Sequence, residues 1–117
     1  MVSMFEISKF NQNISKWNVS QVKYMNSMFA DSVFNQDISH WNVSNVIHMF
    51  CMFVHSQFNQ NIDVWKINPQ CDIDNMFFKS KMEKLPTWYK MPYDYDNDWS
   101  LTPNNINAKF PRQHWFL

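Results

Sequence analysis

A 24-residue block recurs along this chain and constrains its fold more than any other feature. The motif Phe-Asn-Gln-Asn/Asp-Ile starts at Phe10, Phe34 and Phe58. Other positions keep the same register: Trp17, Trp41 and Trp65; Val19, Val43 and Ile67; Met28-Phe29, Met52-Phe53 and Met76-Phe77. A fixed period of this length is typical of stacked supersecondary units, each of which buries its apolar face against its neighbours.

The period divides the chain into two predicted regions. We predict a repeat region over residues 1–81, made of a half coil and three coils (1–9, 10–33, 34–57 and 58–81). Residues 82–117 keep no such period and combine four prolines with many aromatic residues. Proline interrupts helices and central strands, whereas so many aromatic residues are unusual in a disordered tail. We therefore expect residues 82–117 to cap the last coil or to dock on a partner.

Local patterns within a coil predict one strand and one helix. Spaced apolar residues favour a short strand over residues 13–18, with Ile14 pointing inward. In the second half of each coil, apolar residues recur at steps of three and four, as on one face of a helix. Ser20, Ser44 and Asn68 precede these segments and are good helix N-caps, and Pro69 suits a first helical position. The pattern predicts helices near residues 21–30, 45–54 and 69–78.

Together these elements predict an α/β repeat, a leucine-rich-repeat-like solenoid of about three and a half coils with an irregular aromatic C-terminal cap. Short parallel strands would pair from coil to coil, with the helices on the other face. Asn and Gln side chains in equivalent positions would form ladders between coils; they are residues 11/12, 35/36 and 59/60. Glycine is absent, so we expect Asn or Asp wherever φ is positive.

The second coil carries the clearest resemblance to a known family. The string Phe-Asn-Gln-Asp-Ile-Ser-His-Trp-Asn-Val-Ser-Asn-Val at residues 34–46, followed by Met52-Phe53, resembles the BspA-like leucine-rich repeat of mycoplasma surface lipoproteins and giant DNA viruses. The resemblance extends over residues 1–78. It implies a leucine-rich-repeat-like fold and, for the bacterial members, surface display and adhesion. Residues 79–86 resemble the Lys-Pro-containing ending of viral arrays.

Composition argues against several functions. The formal net charge is zero and Arg112 is the one arginine, whereas nucleic-acid binding needs clustered basic residues. The two cysteines, Cys51 and Cys71, fit no zinc spacing. Four histidines (His40, His48, His55 and His114) accompany no nucleophile motif or second metal ligand. We therefore expect no enzyme activity, no metal and no cofactor.

Two sets of residues are candidate partner contacts. Lys16, His40 and Val64 occupy one variable position of the three coils, on the predicted strand face. Ile47 and Phe50 place apolar side chains where the first coil has Lys23 and Asn26. A helix apolar on all sides is normally covered. We expect the aromatic tail or a partner protein to cover this second set.

The most favoured function is a non-enzymatic protein–protein interaction scaffold. The alternatives are a structural component of a larger assembly, such as a minor giant-virus virion protein, or the remnant of a longer surface adhesin-type array. The half coil leaves a first edge open, so self-association through this edge or through the C-terminal tail is a further expectation. No segment resembles a signal peptide, a lipoprotein cysteine or a membrane span, which favours an intracellular or virion location without membrane insertion.

Overall fold

The computed structural model describes residues 1–89, and these contain no helix. Their β-structure is limited to isolated parallel bridges that join Tyr24 to His48 and His48 to Asp72, three residues one period apart. The remaining backbone forms turns and short extended segments. The predicted α/β leucine-rich-repeat-like class, with a strand and a helix in every coil, is therefore wrong. The predicted strand over residues 13–18 is also absent.

Overlapping β-turns replace the predicted helices over residues 21–30, 45–54 and 69–78. In the coil 10–33, alternate N–H groups donate to carbonyls three residues back, whereas an α-helix needs every N–H to reach four residues back. These bonds join Met28 to Met25, Ala30 to Ser27 and Ser32 to Phe29, at 3.3, 3.2 and 3.2 Å. The steps of three and four between apolar residues therefore arise from successive turns, not from one helix face.

The intervening N–H groups bind the next coil. Met25, Ser27, Phe29 and Asp31 donate to the carbonyls of His48, Phe50, Met52 and Val54, at 2.8, 3.1, 2.9 and 2.8 Å. The half coil 1–9 binds the coil 10–33 in the same way, and the coil 34–57 binds the coil 58–81. Each coil thus presents a row of N–H donors to the coil after it and a row of carbonyl acceptors to the coil before it. We call these the donor row and the acceptor row.

Positive φ angles recur at two positions of every coil although the chain has no glycine. They are Ser3, Ser27, Cys51 and Asn75, and Ile7, Asp31, His55 and Lys79, with φ between 53° and 58°. The expectation of Asn or Asp is right at Asp31 and Asn75 and wrong at the other six. These residues stand third in a β-turn, a position that accepts positive φ. The stacking fixes that turn, so side chains of any kind bear a conformational cost of about 1–2 kcal/mol.

Asparagine side chains, and not helix caps, shape the corner after the tryptophan. Asn18 Oδ1 accepts the N–H of Ser20 at 3.1 Å, and Asn42 and Ser44 repeat this bond at 3.1 Å. Ser20, Ser44 and Asn68 cap no helix, because none follows. In the third coil Asn68 itself accepts the N–H of Gln70 at 2.9 Å. The turn there has moved by one residue and places Pro69 second, where proline is favoured.

The predicted amide ladder is confirmed. Asn11 Oδ1 accepts the N–H of Asn35 at 2.8 Å and the side-chain amide of Gln36 at 3.0 Å. Asn35 repeats both bonds with Asn59 and Gln60, at 2.8 and 3.0 Å. Because each amide side chain joins two coils, the repeated Asn-Gln pair serves the stacking and needs no ligand to explain it.

Aromatic columns fill the interior of the stack. Neighbouring rings lie parallel, with centroids of Phe29 and Phe53 5.7 Å apart and those of Phe34 and Phe58 6.3 Å apart. All four of these rings are fully buried. Tryptophans close one corner: the indole N–H of Trp41 donates to Ile14 O at 3.0 Å, and that of Trp65 to Ile38 O at 3.0 Å. The period thus positions both the apolar core and its hydrogen bonds.

Contacts of the repeat kind continue past residue 81. Glu83 N donates to Asn59 Oδ1 at 3.1 Å, as the asparagines of earlier coils do. Trp88 donates its indole N–H to Ile62 O at 2.9 Å and stacks on Trp65 at 6.3 Å. Residues 82–89 therefore lie on the third coil. The remainder of the predicted C-terminal cap or docking segment, residues 90–117, lies outside the described residues.

Candidate functional site

Lys16, His40 and Val64 occupy the middle of the same β-turn in three consecutive coils, and all three side chains are exposed. Each turn is closed by the N–H of the following tryptophan; Trp41 N, for example, donates to Ile38 O at 3.1 Å. The backbone is therefore alike in the three turns, whereas the side chain at this position is basic, imidazole or aliphatic. We call these three side chains the turn surface.

A carboxamide or carboxylate at the start of each turn fixes its conformation. Asn13 Oδ1 accepts from Ser15 N, Asp37 Oδ1 from Ser39 N and Asn61 Oδ1 from Asp63 N, at 2.9, 2.8 and 2.9 Å. The N–H and the hydroxyl of Ser39 both stabilise the Asp37 carboxylate, which lowers the pKa of Asp37. These turns need no partner to hold their shape, so the turn surface is preorganised.

A shallow, open depression lies beside the turn surface, with a volume of about 480 Å³. It is bounded by both His40 and Val64 and by polar side chains between the second and third coils; the lining residues are Asp37, Ser39, His40, Gln60, Asn61, Asp63 and Val64. Acidic, amide and apolar groups meet there. Such a surface suits a peptide segment of mixed character better than a small apolar ligand.

Ile47 and Phe50 lie at a different corner and are half-buried. Ile47 pairs through its backbone, with its N–H on Lys23 O at 2.8 Å and its carbonyl on Asp72 N at 3.0 Å. Phe50 contacts the ring of His48 edge to face at 5.7 Å. The helix that was predicted to carry these two residues is absent. They lie on the side of the coil whose backbone N–H and C=O groups bond to the neighbouring coils. The structure therefore places the two candidate sets at separate corners.

Sequence reasoning missed an aromatic pair beside Phe50. Tyr24 and His48 occupy equivalent positions in the first two coils, and their rings stack at 5.3 Å. Tyr24 is exposed, and His48 Nδ1 is buried without a hydrogen bond within residues 1–89. The one available signal was the spacing. Tyr24, His48 and Asp72, which the isolated β-bridges join, lie one period apart. No chemistry distinguished them from the other variable positions.

The two cysteines are free and half-buried. Burial raises the pKa of the Cys71 thiol to about 11, with a further contribution from the Asp72 charge. Burial also raises the pKa of Cys51, as do Asp72 and Asp74. Both thiols are therefore protonated and weakly nucleophilic at neutral pH. Residues 1–89 contain no group of three or more His, Cys, Asp or Glu side chains placed to hold a metal ion.

A second depression, of about 280 Å³, separates the third coil from residues 82–86. It is lined by Asn59–Asp63 and Met82–Pro86. Its two ends are closed by hydrogen bonds, from Glu83 N to Asn59 Oδ1 and from Thr87 N to Asp63 Oδ1, at 3.1 and 2.7 Å. In earlier coils a glutamine amide fills the corresponding place, whereas Lys84 is exposed here.

Comparison with known proteins agrees with the extent of the stacked region. No curated protein and no solved structure matches the chain. Within residues 1–89, no helix has the length and apolar character needed to cross a membrane. A family model described as a Mycoplasma protein of unknown function, DUF285, matches residues 1–88. This range ends at Trp88, the last tryptophan within residues 1–89. Because the match extends over more than half of the sequence, the chain belongs to the DUF285 family.

Proposed function

We propose that this protein is a non-enzymatic protein–protein interaction scaffold that binds its partner through the turn surface. The observation that supports this proposal is the constancy of the three turns around a changing side chain. Trp17, Trp41 and Trp65 N donate to Ile14, Ile38 and Ile62 O, each at 3.1 Å. The stack thus holds Lys16, His40 and Val64 in a fixed row, whatever their chemistry. A scaffold for recognition has this property.

The dimensions of the turn surface limit the kind of partner. Neighbouring coils are roughly 4.8 Å apart, so three turns span roughly 10 Å. An extended peptide covers that distance with roughly three residues. A standard interface buries about 800 Å² on each side, which is more than three side chains offer. The contact must therefore extend into the depression beside Asp37 and Asp63, and the partner presents a loop or peptide segment.

The chemistry of the turn surface also restricts the partner. Val64 is 69% exposed and offers an apolar contact at one end of the row. Asp37 and Asp63 line the depression, and Lys16 lies at the other end of the row. A segment with an apolar anchor next to a basic residue complements Val64 and the carboxylates. The BspA-like resemblance supports the same proposal, since surface display and adhesion in the bacterial members depend on protein contacts.

Site-specific photo-crosslinking in an extract of the native source tests this proposal. His40→p-benzoylphenylalanine places the probe on the turn surface, and Gln57→p-benzoylphenylalanine, at another exposed corner, is the matched control. We expect an adduct from position 40 only. Excess unlabelled wild-type chain should abolish it, whereas the variant Lys16→Glu/His40→Glu/Val64→Asp, checked by thermal unfolding to be folded, should not. Equal adducts at both positions, or equal competition by the variant, would contradict the proposal.

A further inference from the structure

An aromatic surface lies on the side of the stack, away from both of its ends. It consists of Tyr24, His48 and Phe50, and we call it the aromatic face. The rings of Tyr24 and His48 stack at 5.3 Å, and Phe50 meets the ring of His48 edge to face at 5.7 Å. The three rings therefore form one continuous surface across the first two full coils.

Tyr24 is 46% exposed although a coil flanks it on either side. Ser3 N donates to Asn26 O at 3.1 Å on one side, and Met25 N donates to His48 O at 2.8 Å on the other. The next residue, Met25, is fully buried, so the chain turns its side chains alternately outward and inward here. The exposure of the aromatic face therefore belongs to the side of the stack, and no added coil would remove it.

Two carboxylates of the third coil lie next to the aromatic face. Asp72 continues its column, because a parallel bridge joins His48 to Asp72. Asp74 stands one period after Phe50. Burial, and then the charges of Asp72 and Asp74, raise the pKa of the Cys51 thiol. Both carboxylates are thus close to one point at the edge of the aromatic face.

Basic residues are scarce at the same positions of the coils. The segments 22–26, 46–50 and 70–74 contain Lys23 and no other lysine or arginine. The aromatic face therefore borders a region of negative charge on its third-coil side. Carboxylates and aromatic ring faces both attract cations. This surface suits a segment that carries basic residues next to aromatic ones.

We propose that residues 107–117 of the same chain dock on the aromatic face, with their basic side chains beside Asp72 and Asp74. This segment contains Lys109 and Arg112 and no acidic residue. Three of its other residues are aromatic; they are Phe110, Trp115 and Phe116. The contact lies at a different corner from the turn surface, so it does not depend on the function proposed above.

Charge favours this segment over the other aromatic part of residues 90–117. Residues 93–99 also contain aromatic side chains, but they carry Asp94, Asp96 and Asp98. The carboxylates of the third coil would repel these three aspartates. Aromatic content alone does not distinguish the two segments, whereas the sign of their charge does.

The chain is long enough to bring residues 107–117 to the aromatic face. Tyr89 lies on the third coil, with its ring 5.0 Å from that of Phe77. The 20 residues from Tyr89 to Lys109 can span up to about 65 Å. Two points of one 24-residue coil are at most half a coil apart along the chain, or about 40 Å. A tethered segment also has a high effective concentration, which favours it over a separate molecule.

Photo-crosslinking in the purified full chain tests the contact. Tyr24→p-benzoylphenylalanine places the probe on the aromatic face, and Val33→p-benzoylphenylalanine, 42% exposed at another position of the coil, is the matched control. We expect an intramolecular adduct between position 24 and residues 107–117, identified by peptide mass spectrometry, and no such adduct from position 33. Equal adducts from both positions, an adduct to residues 93–99, an adduct between two molecules, or no adduct at all would overturn the proposal.

Charge variants that carry the same probe at position 24 test the ionic part of the contact. Lys109→Glu/Arg112→Glu should lower the yield of the adduct roughly twofold to tenfold, the modest effect of exposed ion pairs. Asp72→Asn/Asp74→Asn should also lower it. That variant removes both charges but keeps a side-chain oxygen in the place where Asp72 Oδ1 accepts from Asp74 N at 3.0 Å.

The control variant Asp94→Asn/Asp96→Asn changes the charge by the same amount in the acidic segment and should not lower the yield. Unchanged yields in both of the other variants, or an equal loss in this control, would overturn the proposal. Failure of the turn surface to bind a partner would leave all of these results unchanged.

Discussion

Trp17 and Trp41 occupy the same corner of successive coils, yet their surroundings differ. Trp41 is 4% exposed and its indole N–H donates to Ile14 O. Trp17 is 38% exposed, and its indole finds no acceptor within residues 1–89. The local sequence is nearly identical around both. The difference shows that a coil derives its stability from the coil on either side of it, so the first end and the interior should respond differently to the same substitution.

Removing a ring from an interior column should have the largest effect. Phe53 is fully buried and stacks on Phe29, Phe58 and Phe77. Phe53→Ala should lower the free energy of unfolding by about 3–5 kcal/mol, because the cavity cannot close within a stack. Phe5→Ala, in the same column at the half-buried end, should cost roughly 1–2 kcal/mol. Urea denaturation of both variants measures the difference, and equal losses would contradict the comparison.

Removing the indole donor should have a smaller effect that again depends on position. Trp41→Phe removes the indole bond to Ile14 O, which keeps its bond from Trp17 N, and it also removes part of a buried side chain. Together these losses should cost roughly 1–2 kcal/mol. The matched change Trp17→Phe removes no such bond within residues 1–89 and should stay within about 0.5 kcal/mol of wild type. Thermal unfolding followed by circular dichroism distinguishes the two variants. A large loss at Trp17 would show that its indole is bonded as in the interior.

The amide ladder allows the same test on the polar side of the stack. Asn35 Oδ1 accepts from both Asn59 N and the Gln60 amide, so Asn35→Ala should cost roughly 1–2 kcal/mol. Within residues 1–89, Asn13 accepts only from Ser15 N of its own turn, and Asn13→Ala should cost less. Hydrogen exchange of the Asn59 amide reports the loss directly. Unchanged protection at Asn59 in Asn35→Ala would contradict the assigned bond.

The smallest expected effect is a gain. Ile7 has φ 56°, an unfavourable value for a β-branched residue, and its exposed side chain has little packing to lose. Ile7→Gly should stabilise the chain by roughly 0.5–1 kcal/mol, measured at low protein concentration. Ile7→Ala keeps the Cβ atom that opposes this backbone conformation and serves as the control. Equal stability of the two variants would show that the strain has another origin.

The sequence predicted the spacing of the coils but not the form of their backbone. The Asn-Gln ladder followed from the period alone, because equivalent residues must meet in a stack. The helices over residues 21–30, 45–54 and 69–78 failed because overlapping β-turns repeat apolar residues at the same steps of three and four. Only the alternation of hydrogen-bond partners separates the two structures, and side-chain pattern does not encode that alternation. Positive φ at Cys51 and His55 carried no local signal for the same reason.

The candidate site was likewise predictable from the sequence in one part and not in another. The exposure of Lys16, His40 and Val64 could be expected, since one position varied while its neighbours did not. The half-burial of Ile47 and Phe50 could not be expected. It depends on backbone hydrogen bonds between neighbouring coils, whereas the sequence pattern predicted a helix at these residues. The Tyr24–His48 stack was missed because neither residue repeats in kind, although their separation of one period predicts that the two rings meet.

The turn at Asn68 and Pro69 has a consequence for how such chains change over evolutionary time. It forms one residue later than in the first two coils, yet the residues on either side, Trp65 and Asp72, keep their places in the stack. Similarly, the indole of Trp88 bonds to a carbonyl 26 residues back, whereas those of Trp41 and Trp65 bond to carbonyls 27 residues back. The corners thus tolerate a shift of one residue in the turn or in the tryptophan while the columns stay aligned. A coil can therefore persist in the structure after its period has faded from the sequence, and a count based on strict spacing will stop short of the true number.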